Sequence, residues 1–302
     1  MRRLAEIAFG NLLLREFCER DGTAFQRLFC DIMDEAHGSE FQRVQAWGSD
    51  GDQKNDGFHR TTRQLFQCYA PQKLVASVAV RKLRDDFIGA CVHWNDHFDE
   101  WVFVLNLRQD PPAALVREAL SLEAAHAGKR IRFWGFQLVR QIVCNLKEES
   151  AARLLGPPVG EEDLAMLGYP DIAPLLAHLS AAAPAGAISV RPVPPGKLAA
   201  NHLPPDVQDA LTQGTMKSSL VARYFEDDSD PGRGERAASA FTAKYNELRD
   251  QGLAPEEIFL GLDHFAGGAG KRSPRHMFAT WAVMAHFFES CDIFEEPRRD
   301  PA

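Results

Sequence analysis

Apolar residues at helical spacing predict an amphipathic helix over residues 4–19, stopped by the turn signal Asp21-Gly22. Thr23 is the expected cap of a second helix, whose stripe is Phe25, Leu28, Phe29, Ile32 and Met33 and which His37-Gly38 closes. The period then falls to two. FQRVQAW (41–47) alternates apolar and polar residues as a half-buried strand does, and QLFQCYA (64–70) is a second strand ended by Pro71. A helix is expected from about Gln72 to Trp94, on the stripe Leu74, Val75, Val78, Val80, Leu83, Phe87 and Ile88. WVFVLNL (101–107) is a continuous apolar run suited to a central strand. Pro111-Pro112 opens a helix reaching about Ala127, IRFWGF (131–136) is the next strand, and QLVRQIVCNL (137–146) is a helix. This alternation predicts an α/β domain with a mixed sheet and flanking helices over residues 1–150.

The pattern changes after that. Gly156-Pro157-Pro158, AAAPAGA (181–187) and RPVPPGK (191–197) have linker composition, so residues 151–196 are expected to be a linker with short helices. From Lys197 the spacing is helical, with stops expected at Gly214, Gly252 and residues 267–270, which gives an all-α domain over 197–296. Its last helix, HMFATWAVMAHFFESCDIF (276–294), is apolar nearly all round, as suits either a bundle core or a partner interface.

Composition narrows the class. With 45% hydrophobic and 25% charged residues, the 302-residue chain is globular rather than disordered. A formal charge of −8 excludes a diffuse basic coat for nucleic acid but allows local basic clusters, at Arg2-Arg3, at 81–84 and at 129–132. Six cysteines without a CxxC pair point to a reduced, cytoplasmic protein. The N-terminal apolar stretch is broken by Glu6 and Gly10 and lacks a small-residue cleavage site, and no run of about 18 apolar residues would span a membrane.

The candidate chemistry lies in GDQKNDGFHRTTRQLFQCYAP (51–71). Phosphodiester hydrolysis near neutral pH uses a divalent metal, and Mg²⁺ takes oxygen ligands such as carboxylates at a strand end. Here Asp52 and Asp56 precede a strand on which Gln67 and Tyr69 share a face. The stretch resembles the GDxGxDG…QxK pattern of the Mrr-like branch of PD-(D/E)xK nucleases, matching at Gly51, Asp52, Asp56, Gly57 and Gln67. Gln26, on the preceding helix, stands where that branch often has glutamate. The resemblance implies a restriction-endonuclease-like fold, Mg²⁺ held by Asp52, Asp56 and Gln67, and a site completed by the residue at position 69. That residue is Tyr69 where the pattern has lysine, and a phenol carries no positive charge near neutral pH. Lys73 is the expected replacement, with Lys54 the other candidate. The plainer reading is that Asp52 and Asp56 shape a turn.

Other motifs carry less. His93 and His97 have i, i+4 spacing but no HExxH glutamate, GGAGK (267–271) does not meet the phosphate-loop pattern, and EDDSD (226–230) reads as a solvated charge run. The C-terminal block KLAANHLPPDVQDALTQG, SLVARYFEDD, FTAKYNELRDQGLAPEEIF and MAHFFESCDIFEEP, over about 195–296, resembles a C-terminal domain of ABC-three component systems. Those are bacterial conflict or antiphage loci that encode an ABC-type ATPase, a middle component and an effector. The resemblance implies an oligomeric complex with an ABC/SMC-like ATPase and a middle component, joined through the helical domain. It makes the chain a DNA-targeting effector that cleaves DNA, or an inactive nuclease-like adaptor that binds DNA or scaffolds the ATPase.

Overall fold

The computed structural model describes residues 4–44, 54–158, 160–184, 203–268 and 273–290. Asp52 lies outside the described residues, as do Gly51 and the second half of the strand expected at 41–47. The chain divides into two compact units, residues 12–155 and residues 1–11 with 156–302. Helix α1 (Leu4–Glu19) contributes to both.

The first unit is built on a five-stranded sheet in the order β1-β2-β3-β4-β5. Strands β1 (Phe41–Arg43), β2 (Gly57–His59) and β3 (Gln64–Tyr69) are antiparallel neighbours. Strands β4 (Glu100–Leu105) and β5 (Arg130–Trp134) continue the sheet in parallel from β3. The mixed sheet agrees with the sequence pattern, but β2 was not anticipated, because three residues are too few to show a period of two. Helices α3 (Ala76–Trp94) and α4 (Ala113–Ala125) are the two crossovers between parallel strands. Helix α3 starts four residues later than expected, since Val75 is still extended at φ −113° and ψ 114°. Helix α2 (Gly22–His37) begins before Thr23, with Asp21 in the capping position, and Gly38 at φ 53° ends it.

The period of two sorts the side chains of β3 onto two faces. Leu65 and Tyr69 pack with Trp101, Phe103 and Leu105 of β4, and with Leu83 and Phe87 of α3 and Leu115 and Leu122 of α4. Phe66 points the other way, meeting Phe29 of α2 at 5.6 Å between ring centroids, Phe41 at 5.9 Å and Trp134 at 5.2 Å. Helix α5 (Phe136–Asn145) lies against α2. Its entry is tight at Gly135, where a Cβ would sit 2.8 Å from the Leu107 carbonyl oxygen. Helix α6 (Glu148–Leu155) completes the unit.

The second unit is helical. The stretch expected as a linker with short helices supplies α7 (Glu161–Ala165) and α8 (Tyr169–Ala181), and the bundle continues with α9 (Pro205–Thr215), α10 (Ser218–Asp227), α11 (Arg233–Asp250), α12 (Pro255–Gly267) and α13 (Pro274–Ser290). The apolar last helix is core: α13 packs against α7, α8, α9, α10 and α12, and Phe278, Trp281, Val283, Met284 and Phe287 are buried. Gly214, expected to stop a helix, lies inside α9 instead. A Cβ there would fall 2.2 Å from the Trp281 carbonyl oxygen and 2.8 Å from the Ala285 Cβ, so glycine permits the close approach of α9 and α13. The charge run at 226–230 is partly engaged, with Asp228 paired to Arg233 at 2.6 Å and Asp230 paired to Arg236.

Two outcomes follow for the bundle. Gly214→Ala should lower its unfolding free energy by about 1–3 kcal/mol in a denaturant titration, because backbone must move to admit the methyl group. His286 of α13 packs against Phe225 and Phe287, and burial holds its pKa down at about 4. Between pH 6.5 and 4 the unfolded chain therefore binds the proton that the folded bundle refuses. Stability should be complete above pH 6.5 and fall by on the order of 3 kcal/mol as the pH drops through that window, and His286→Phe should flatten the dependence.

Candidate functional site

Strand β3 runs beyond β2, and the chain entering β2 covers the excess. The Asp56 N–H donates to the Phe66 carbonyl at 2.8 Å, and the Val44 N–H donates to the Asp56 carbonyl at 3.1 Å, so this residue bridges β1 and β3. Its carboxylate is used on both oxygens. Oδ2 accepts the Cys68 backbone N–H at 2.6 Å, and Oδ1 accepts the Gln26 side-chain amide of α2 at 2.7 Å. Asp56 is only 4% exposed. Cys30 and Cys68 lie beside it. Burial and then the Asp56 charge raise both thiols, that of Cys30 to about 12, which keeps them protonated and poorly nucleophilic.

Gln67 is on the strand position next to this carboxylate, but its side chain belongs to the face of Leu65 and Tyr69 under α3 and α4. Asp56 is turned toward α2 on the opposite face. The expected pairing of Asp56 and Gln67 side chains on one face is therefore not made. Gln67 is buried at 5% exposure, and its Oε1 has no hydrogen-bond partner among the described residues. Tyr69 is stacked on Phe103, with ring centroids 5.6 Å apart and planes at 14°, and serves the core of that face. Lys73, expected one turn into a helix, is exposed in the connection before α3.

The other candidate lysine is more firmly placed. Lys54, in the left-handed region at φ 63°, directs its ammonium to the Asp86 carboxylate of α3 at 3.2 Å. Lys82, one turn earlier on α3, pairs with the second oxygen of Asp86. Asp86 is wholly buried, between Leu83 and Ala90 on the sheet-facing side of the helix. Asn55 is also fully buried. Its Oδ1 accepts the Gly57 N–H at 2.8 Å, while its Nδ2 has no partner among the described residues. Sequence reasoning missed Asp86. The available signal was an acidic residue inside the stripe Ala79, Leu83, Phe87 and Ala90, where a helix facing a core should be apolar.

The basic clusters expected to meet DNA are largely used internally. Arg84 makes a two-pronged pair with Glu118, at 2.7 and 2.9 Å, and Arg132 reaches Glu100 at 3.3 Å. Lys129 donates to the Phe98 carbonyl at 2.6 Å and sits 4.2 Å over that ring. His93 is on α3 while His97 is in the turn after it, and both are exposed. Among the described residues no group of three His, Cys, Asp or Glu side chains is arranged to hold a metal. Of GGAGK, only Gly267 and Gly268 fall in the described residues, at the end of α12.

Helices α8 to α13 form the remaining part of the molecule for which comparison is informative. Residues 170–295 match the family model of C-terminal domain 10 of the ABC-three component (ABC-3C) systems. The match starts within α8, upstream of the boundary at about 195 read from the sequence, and takes in the helix that packs on α11 and α13. A domain of that family belongs to a system of several components, which is consistent with a role in conflict or antiphage defence. Comparisons with curated proteins and with solved structures gave no match. Among the described residues no helix is long and apolar enough to cross a membrane.

Among the described residues, Asp56 and Gln67 do not present their oxygens to one shared Mg²⁺. A hard cation of this size needs several oxygens in octahedral arrangement, and Asp56 and Gln67 present theirs to different faces. Asp56 is better described as an acceptor that completes the sheet. Asp56→Ala should cost about 2–4 kcal/mol in unfolding free energy, because it leaves a buried backbone N–H and a buried amide without acceptors. Millimolar Mg²⁺ should leave the thermal midpoint of the original chain and of Asp56→Ala equally unchanged; a metal-dependent rise that the substitution abolishes would show a bound cation instead.

Proposed function

We propose that this chain is the DNA-facing component of an ABC-three component conflict system, a nuclease-like adaptor that does not hydrolyse the backbone through Asp56 and Gln67. In this reading the helical domain joins the chain to an ABC/SMC-like ATPase and a middle component. The mixed α/β domain, restriction-endonuclease-like in its expected architecture, meets DNA. The match of residues 170–295 supports the coupling role. The non-hydrolytic role rests on one observation, that Asp56 is turned to Gln26 and Cys68 while Gln67 and Tyr69 belong to the other face.

A hydrolytic reading is favoured by a different feature. Lys54 stands two residues before Asp56 and carries the positive charge that Tyr69 lacks, and its ammonium is fixed by Asp86. Hydrolysis by this route would require Asp56 to leave Gln26 and Cys68 and turn through the sheet edge. The two readings separate in one experiment. The chain should copurify with the ATPase and middle components and retain plasmid DNA, and with Mg²⁺ and ATP neither it nor Asp56→Ala should nick the plasmid. Nicking by the original chain that Asp56→Ala abolishes would establish the nuclease, and failure to copurify would remove the coupling role.

A further inference from the structure

We infer that the outer edge of β5, with the flank of α4 beside it, takes an added strand from a partner protein whose residues alternate between apolar and acidic. The inference goes beyond the coupling and DNA-facing roles above and depends on neither. Among the described residues β5 ends the sheet, with β4 on one side and no strand on the other. The Arg130 N–H donates inward to the Asp99 carbonyl at 3.0 Å. The alternation of the ladder then turns Arg132 inward as well and leaves the backbone groups of Ile131 and Phe133 facing outward. Glu123 of α4 accepts the Ile131 N–H at 2.6 Å. That contact also orients the helix. Val116, Leu120 and Glu123 stand at i, i+4 and i+7, so they form one stripe along the open edge.

The two faces of this edge differ in chemistry. Ile131 and Phe133 direct their side chains to the α4 face and join its core. Beside them Leu120 is 60% exposed and Val116 38%. On the other face Arg130 and Arg132 are exposed. Arg130 has no side-chain partner among the described residues, and Arg132 pairs with Glu100 at 3.3 Å. Charge alone guards an edge against pairing, whereas an apolar flank at the same edge favours it. A strand laid along β5 suits both faces. Its period of two sets apolar residues against Leu120, Val116 and Phe133, and the intervening residues against the arginines. Opposite charges attract across neighbouring strands, so those intervening residues are acidic. A second copy fits poorly, because two β5 strands paired antiparallel about Ile131 or Arg132 bring arginine against arginine. A phosphodiester also fits poorly, since it has no donor for the outward carbonyls of Ile131 and Phe133.

The test uses the full chain and fluorescently labelled synthetic peptides of about eight residues, enough to run past the edge, read by anisotropy. An alternating Val-Glu peptide should bind, and an alternating Val-Lys peptide should bind several-fold more weakly. Proline at the central positions of the Val-Glu peptide removes its backbone donors and should abolish binding. Arg130→Glu should reverse the preference between the two peptides. Leu120→Ser should weaken both several-fold, and Val92→Ser, at an exposed position on α3, should change neither. Both edge substitutions fall on exposed side chains, and circular dichroism checks that each variant is folded. Absence of binding, equal binding of the two peptides, or the original preference in folded Arg130→Glu would overturn the inference, as would binding of the proline peptide. A concentration-dependent dimer that Leu120→Ser abolishes would assign the edge to a second copy instead. Duplex DNA that displaces the Val-Glu peptide, and is itself weakened by Arg130→Glu, would assign it to nucleic acid.

Discussion

Strand β3 has six residues and its antiparallel partner β2 has three, and the first unit is arranged around that mismatch. Beyond Phe66 the sheet-edge donors of β3 have no strand to receive them, and a buried N–H left unpaired costs about 1–3 kcal/mol. The Asp56 carboxylate takes the Cys68 N–H and ties the same corner to Gln26 of α2. This requirement fixes the direction of the side chain. An aspartate at the mouth of two strands can be a metal ligand or a surrogate strand, and here its second task turns it from the face where Gln67 lies.

The opposite face has its own polar exception. Helix α3 presents Leu83, Phe87 and Ala90 to the sheet, with Asp86 among them. A charge in that position is tolerated only when it is paired, and both partners reach it from the solvent side. One of them, Lys54, comes from the loop ahead of β2, so the buried carboxylate also fixes the course of the chain beside Asp56. The acidic corner and the lysine cluster are thus mechanically linked through three consecutive residues, Lys54, Asn55 and Asp56, although their side chains serve different surroundings.

In the helical unit the governing constraint is separation between helices. α13 is apolar on nearly every side because it is enclosed on nearly every side. Close packing of α9 against it depends on Gly214, which has helical surroundings and no room for a methyl group. The residue that sequence reasoning treats as a stop is instead the point of contact. Glycine carries both meanings, and only a neighbouring backbone distinguishes them.

Much of the architecture was legible in the chain. The strand read at 64–70 and the continuous apolar run at 101–107 became β3 and β4, the stripe of α2 became buried, and the resemblance of the C-terminal block to ABC-three component domains agrees with the match over 170–295. Those features are encoded locally, because an apolar period specifies an element and a burial direction without knowledge of its neighbours. The three-residue β2 was too short to be read in this way, and residues 161–181 read as short helices within a linker, whose place in the bundle depends on contacts with helices elsewhere in the chain. The site was less legible for the same physical reason. Residue type named Asp56, Gln67, Tyr69 and Lys54, but the direction of each side chain depends on hydrogen-bond partners and helix contacts far away in sequence. Gln26 and Cys68 capture Asp56, Phe103 captures Tyr69, and Asp86 captures Lys54. The sequence by itself determined which elements form and which groups are available; tertiary packing decided which of those groups face one another, because burial obliges every polar atom to find a partner wherever the fold supplies one.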